Sequence, residues 1–79
     1  MRARIVVTLK TDVLDPQGKA IEAALKSFGI QEIGGVRQGK VFDVEVSTSD
    51  AAGAEAVLKT ACEKLLANTV IETYTIEIA

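Results

Sequence analysis

The chain has no histidine and no tryptophan, one cysteine, one proline and three further aromatics, Phe28, Phe42 and Tyr74. Each scarcity removes a class of chemistry. A single thiol rules out a disulfide within the chain. The lack of histidine and of a second thiol argues against a structural zinc, whose tetrahedral sites are built from Cys and His. The absence of histidine also removes the residue most often used as a general base near neutral pH. No apolar run approaches the roughly 20 residues of a membrane-spanning helix, and no signal-peptide core follows Met-Arg-Ala-Arg. Formal net charge is −2, which argues against a nucleic-acid surface or an anionic-membrane surface, both of which need clustered Lys and Arg. A cytoplasmic location, with no nucleic acid and no membrane as partner, is the expectation.

What remains is ordinary for a folded domain: 48% hydrophobic and 25% charged over 79 residues. That length makes a single domain, residues 1–79. A chain so short buries only about 60% of the surface its unfolded form exposes. With an internal disulfide ruled out and a structural zinc disfavoured, oligomerisation is the remaining source of additional stability.

Residues 3–10 alternate at period two, with Ile5, Val7 and Leu9 against Val6, Thr8 and Lys10, and predict a strand. Asp15 suits a helix N-cap and Pro16 the first helical position. Ala20, Ile21, Ala24, Leu25 and Phe28 follow at helical spacing, and Gly29 is placed to end the helix in a left-handed conformation, giving a helix over about 16–28. Residues 32–47 read as β-structure, either one long strand bent near Gly39 or a hairpin turning there, with Gly34-Gly35 able to supply a bulge. Ser49 or Asp50 caps a second helix whose apolar stripe holds Ala54, Val57, Leu58, Ala61, Cys62, Leu65 and Leu66, and Asn68 stops it. Residues 70–78 return to strand, with Tyr74, Ile76 and Ile78 on one face.

This order predicts an α+β fold, a ferredoxin-like sandwich with two helices on one face of a mainly antiparallel sheet. The second sheet face has no cover within the chain and is expected to pack in an oligomer, a dimer or tetramer.

No catalytic constellation emerges. Gly34 to Lys40 satisfies the GxxxxGK part of a phosphate loop, but Val41 stands where Ser or Thr would hold Mg²⁺, and the following residues have strand rather than helix period. Cys62 lies late in a helix on its apolar stripe, the setting of a core thiol rather than a nucleophile. The pairs Asp12 with Asp15 and Asp43 with Glu45 fit a cap and a solvated strand face. RNA binding would need aromatics on the open sheet face, whereas Phe28 and Phe42 fall on core-facing parities. Polar residues gathered at turns are the better functional candidates: Lys10, Asp12, Asp15, Pro16 and Gln17 around the first loop and helix start, with Arg37 and Lys40 flanking Gly39. They are expected to form a partner-binding surface.

The segments Val7-Thr8-Leu9-Lys10 and Val13-Leu14-Asp15-Pro16-Gln17-Gly18-Lys19-Ala20 resemble the PurS family. So do Val36-Arg37, Gly39-Lys40, the run from Cys62 to Asn68, and Val70-Ile71-Glu72. The resemblance spans essentially the whole chain, and the LDPQGKA segment is its most specific part. Thr69 stands where the family commonly has proline, and Thr73 where it has an acidic residue. The resemblance implies a small subunit of phosphoribosylformylglycinamidine synthase without an active site of its own. It would bind the large synthetase subunit, which uses ATP and Mg²⁺, and the glutaminase subunit, assisting ammonia transfer between them. It implies no catalytic residue, no metal and no cofactor on this chain. A small-ligand-binding regulatory module on the same fold is the alternative reading.

Overall fold

In the computed structural model, which describes residues 1–79, the elements follow in the order β1 (Arg2–Leu9), α1 (Pro16–Ser27), β2 (Gly39–Glu45), α2 (Ala51–Ala61) and β3 (Glu72–Ile78). The sheet is three-stranded in the order β2-β1-β3, and both pairings are antiparallel. The α+β, ferredoxin-like class expected from the sequence is the one observed, but only α2 lies on the sheet, where both helices were expected on one face. Because β1 is central, its alternation decides both faces. Ala3, Ile5 and Val7 point inward and are buried, while Arg2, Arg4 and Thr8 point outward.

The core is small. Nine residues of the chain are buried, and the main cluster joins Ala3, Ile5 and Val7 to Leu58, Cys62 and Ala67. Helix α2 is the element that covers the inner face. Asp50 caps it, its carboxylate accepting from the Ala52 and Gly53 amides at 3.3 and 3.1 Å. The helix then runs into a single π-helical turn, Cys62–Leu66, closed by the Ala67 N–H on the Cys62 carbonyl at 3.0 Å. A π turn advances each residue by a smaller angle than an α turn. The apolar stripe therefore slips out of phase: Leu66 stays partly buried, but Leu65, expected on the stripe, is 83% exposed.

Between α1 and β2 the chain departs from both sequence-based alternatives. Only Gly39–Glu45 forms a strand, so neither a long bent strand from residue 32 nor a hairpin at Gly39 is present. Residues 30–38 instead run back along α1. The Ile30 amide bonds to the Leu25 carbonyl at 3.0 Å, and the Val36 carbonyl lies against Gly18. Gly29, at φ 89°, makes the reversal, in the left-handed region where glycine carries no steric cost.

Helix and return segment make an arm that projects from the sheet. The molecule measures 49 × 25 × 14 Å. An eight-residue strand is about 26 Å long and a twelve-residue helix about 18 Å, so strand and arm follow one another along the long axis. The radius of gyration is 16.0 Å, against about 12 Å for a compact chain of this length. Phe28, expected on a core-facing parity, is consequently 78% exposed. The outer sheet face is mainly polar, with Arg4 bonded to Asp43 at 3.0 Å and Arg2 near Glu45 at 3.9 Å, alongside Val6 and Val41.

With so little core, single cavities are costly. Leu58→Ala is expected to lower unfolding stability by about 3 kcal/mol, a large fraction of what a domain this size possesses. Urea denaturation of both proteins measures it.

Candidate functional site: the loop and helix start at the end of the sheet

The polar candidates from the sequence converge where β1 ends and α1 begins, and Asp15 organises that region. Its side chain is buried, with Oδ1 accepting from the Gly18 amide at 2.9 Å and Oδ2 from the Gln38 amide at 2.6 Å. The first bond is the expected N-cap. The second was not legible in the sequence, since it joins positions 23 apart. These hydrogen bonds, that to Gln38 foremost, together with the positive charge of Arg37, hold the Asp15 carboxyl below its ordinary value of 3.8.

Two close approaches accompany the clamp. A Cβ on Gly18 would stand 2.2 Å from the Val36 carbonyl oxygen, and one on Gly39 would stand 2.7 Å from that of Val7. Neither position accepts a side chain without moving backbone. Arg37 closes the other side of the loop, donating from Nη2 to the Lys10 carbonyl at 2.8 Å.

Beside the clamp lies an open groove of about 350 Å³, lined by Asp15, Pro16, Gln17, Gln38, Gly39 and Lys40 together with Val7, Leu9 and Glu72. Lys40 and Glu72 form an ion pair at 3.6 Å. Both continue the inward parity of their strands, Lys40 opposite Val7 and Glu72 opposite Leu9. The inner sheet face thus changes from apolar to ionic beyond the reach of α2. Of the expected residues, Asp15, Pro16, Gln17 and Lys40 share the groove, and Arg37 and Lys10 brace its loop. Asp12 is exposed in the turn before the helix and lies outside the groove.

Gln38 and Glu72 are the groove residues that sequence reasoning did not single out as candidates. Glu72 is further fixed by accepting the Asn68 amide at 2.6 Å. Its sequence signals were its inward parity in the strand expected over 70–78 and its place in the Val70-Ile71-Glu72 segment.

Elsewhere, Cys62 is buried and its thiol is pushed up, chiefly by desolvation. Tyr74 donates its hydroxyl to Glu63 at 2.6 Å, and that hydrogen bond is the main reason its phenol is pushed up to about 12. No group of acidic, histidine or cysteine side chains is gathered as a metal site, and no helix is long and apolar enough to cross a membrane.

The construction is that of a small α+β, ferredoxin-like chain with a braced polar groove and a thin core. The comparisons identify its family. The family model described as PurS, phosphoribosylformylglycinamidine (FGAM) synthase, matches residues 2–79, and the chain belongs to that family. It is 45% identical over 75 residues to the Synechocystis phosphoribosylformylglycinamidine synthase subunit PurS, covering 95% of this chain and 75% of that protein. The structure of Bacillus subtilis PurS superposes with a TM-score of 0.88 at 45% identity, covering 96% of this chain and 94% of that one. A chain of PurLQS from Thermotoga maritima also gives 0.88, at 33% identity, covering 96% and 93%.

Two outcomes are expected of these side chains. A carboxyl whose folded value lies below its unfolded value stabilises the fold above about pH 4, and that contribution disappears as pH falls through the folded value. Asp15→Ala should therefore melt at lower temperature than the unaltered chain at pH 7, with the gap closing on acidification, as thermal scans from pH 7 to 2 record. Ultraviolet titration of Tyr74 should give a midpoint near 12, moving down toward the ordinary tyrosine value in Glu63→Gln.

Proposed function

We propose that this chain is the non-catalytic docking subunit of phosphoribosylformylglycinamidine synthase in purine biosynthesis. In this reading it binds the glutaminase subunit and the large synthetase subunit. It thereby assists transfer of ammonia from glutamine for the ATP-dependent conversion of formylglycinamide ribonucleotide to formylglycinamidine ribonucleotide. ATP and Mg²⁺ belong to the synthetase subunit, and this chain binds no cofactor. It acts in the cytoplasm as a homo-oligomer.

The observation that carries the reading is the match along nearly the whole chain, which extends to a chain of PurLQS at a TM-score of 0.88. The groove supports it. Lys10, Asp12, Asp15, Pro16, Gln17, Arg37 and Lys40 sit on or beside one braced loop, and a loop already fixed loses little conformational entropy when it meets a partner. The physical gain of such a subunit is proximity. Ammonia released far from the synthetase dilutes and protonates, whereas docking the two enzymes replaces diffusion by a short transfer.

Reconstitution tests it. Glutamine-dependent synthase turnover should require this chain in addition to the two larger subunits, and full turnover in its absence overturns the reading. Arg37→Glu combined with Lys40→Glu should weaken complex formation by about tenfold or more, equivalent to about 1.4 kcal/mol. Circular dichroism checks that the fold survives the loss of the Lys40–Glu72 pair. Unchanged co-elution and turnover in a folded double variant remove these residues from the docking surface.

A further inference from the structure

The groove beside the Asp15 clamp has two carboxylates on its wall, and they differ in what they have left to bind. Each oxygen of Asp15 already accepts from a backbone amide, Gly18 on one side and Gln38 on the other. Glu72 is half committed. Its Oε1 accepts the Asn68 amide at 2.6 Å, while its Oε2 stands 3.6 Å from Lys40 Nζ. That separation exceeds the roughly 2.7–2.9 Å of a charge-assisted hydrogen bond. The two groups therefore attract without a hydrogen bond between them. The Glu72 side chain is only 12% exposed, so water has little access to it except through the groove.

A carboxylate oxygen and an ammonium group thus stand side by side, each with bonding capacity unused. The pair selects the charge of a ligand. A simple anion drawn to Lys40 meets Glu72, and a simple cation drawn to Glu72 meets Lys40. A molecule carrying both charges on adjacent groups satisfies both. An α-amino acid has that form, with its ammonium nitrogen and carboxylate carbon about 2.5 Å apart by ordinary bond lengths and angles. Laid antiparallel to the Lys40–Glu72 pair, it closes a square of alternating charge.

The rest of the wall suits a particular side chain. Gln17 and Gln38 line the same groove, and the carboxamide of neither is bonded within the chain. An amide offers one acceptor and two donors, the complement of another amide. Val7 and Leu9 supply apolar surface for methylene groups. The volume of about 350 Å³ lies within the range of small-molecule sites, about 300–1,000 Å³.

We propose that this groove is a binding site for a free α-amino acid with a carboxamide side chain. The ligand's α-carboxylate meets Lys40, its α-ammonium meets Glu72 Oε2, and its amide lies against Gln17 and Gln38. The site belongs to the chain alone and goes beyond its reading as a docking subunit.

Nuclear magnetic resonance titration of the isotope-labelled full chain tests it, with L-asparagine and L-glutamine as probes. At least one should produce saturable shifts of the Gln38, Gly39, Lys40 and Glu72 amides, with a Kd on the order of 1 mM or tighter. N-acetylation of that amino acid removes the ammonium charge. Its iso form, isoasparagine or isoglutamine, keeps every atom but exchanges amide and carboxylate, moving the two charges apart. Each change should weaken binding about tenfold or more. So should Lys40→Met, which keeps the aliphatic stem, and Glu72→Gln, which keeps an acceptor for the Asn68 amide. Circular dichroism checks both variants, and the ligand series decides by itself if either fails to fold. Absence of saturable shifts with both probes, shifts centred away from the groove, equal binding of the acetylated or iso compound, or unchanged binding by a folded variant overturns the proposal. No other subunit is present in the titration. Loss of the docking reading would therefore leave this site standing, and loss of the site would leave docking standing.

Discussion

Asp15 accepts hydrogen bonds from two backbone amides that belong to different parts of the chain, and the shape of the molecule follows from that pair. An ionised carboxylate out of water is costly unless donors replace its hydration. Here Gly18 and Gln38 replace it, with the Arg37 charge close by. The carboxylate starts α1 and anchors the return of the chain into β2. Helix start and strand start are thereby held together, the Pro16-Gln17 step between them is presented at the groove, and the arm is aimed along the sheet rather than over it.

The thin core is a consequence. With α1 directed away, only α2 and its π turn cover the inner sheet face, and burial concentrates on β1 and on Leu58 and Cys62. The π turn is part of the same economy of contacts. Its slower rotation carries Leu66 toward the cluster and leaves Glu63 within reach of the Tyr74 hydroxyl, at the expense of exposing Leu65. An ordinary α turn would keep Leu65 on the apolar stripe. The 2.6 Å hydrogen bond from Tyr74 to Glu63 is a local contact that accompanies the change of phase.

What the sequence made legible was local. The alternation of β1 and β3, the Asp15-Pro16 helix start, the Asp50 cap and the Gly29 reversal each depend on neighbours a few residues apart, and each stands in the structure. Residues 32–38 depart from the β-structure expected over 32–47: Val36 shares the parity of Phe42, Val44 and Val46, yet no strand lies beside it. Within the segment only Ile33 and Val36 are half-buried, three residues apart, which is not the alternation of a strand. Phe28 was assigned to the core because periodicity reports that a face is apolar and says nothing of what covers it. Most of the groove was found through its turn residues. Gln38 and Glu72 escaped because their roles rest on contacts across the sheet and the loop, which spacing does not encode.

The two uncovered features differ in chemistry, and the difference bears on what each can bind. The groove is polar, ionic and braced, with Lys40 already paired to Glu72. Contacts to such a surface lose part of their gain to desolvation and suit partners that associate and separate. The arm's stripe is apolar, as are Phe42 and Val44 on the inner face of β2. Surfaces of that kind resemble a core cut in half, the mark of permanent association. A chain with little core of its own gains from covering the second kind at all times, which leaves the first kind free. The Asp15 carboxylate serves both ends, since it aims the arm outward and shapes the groove.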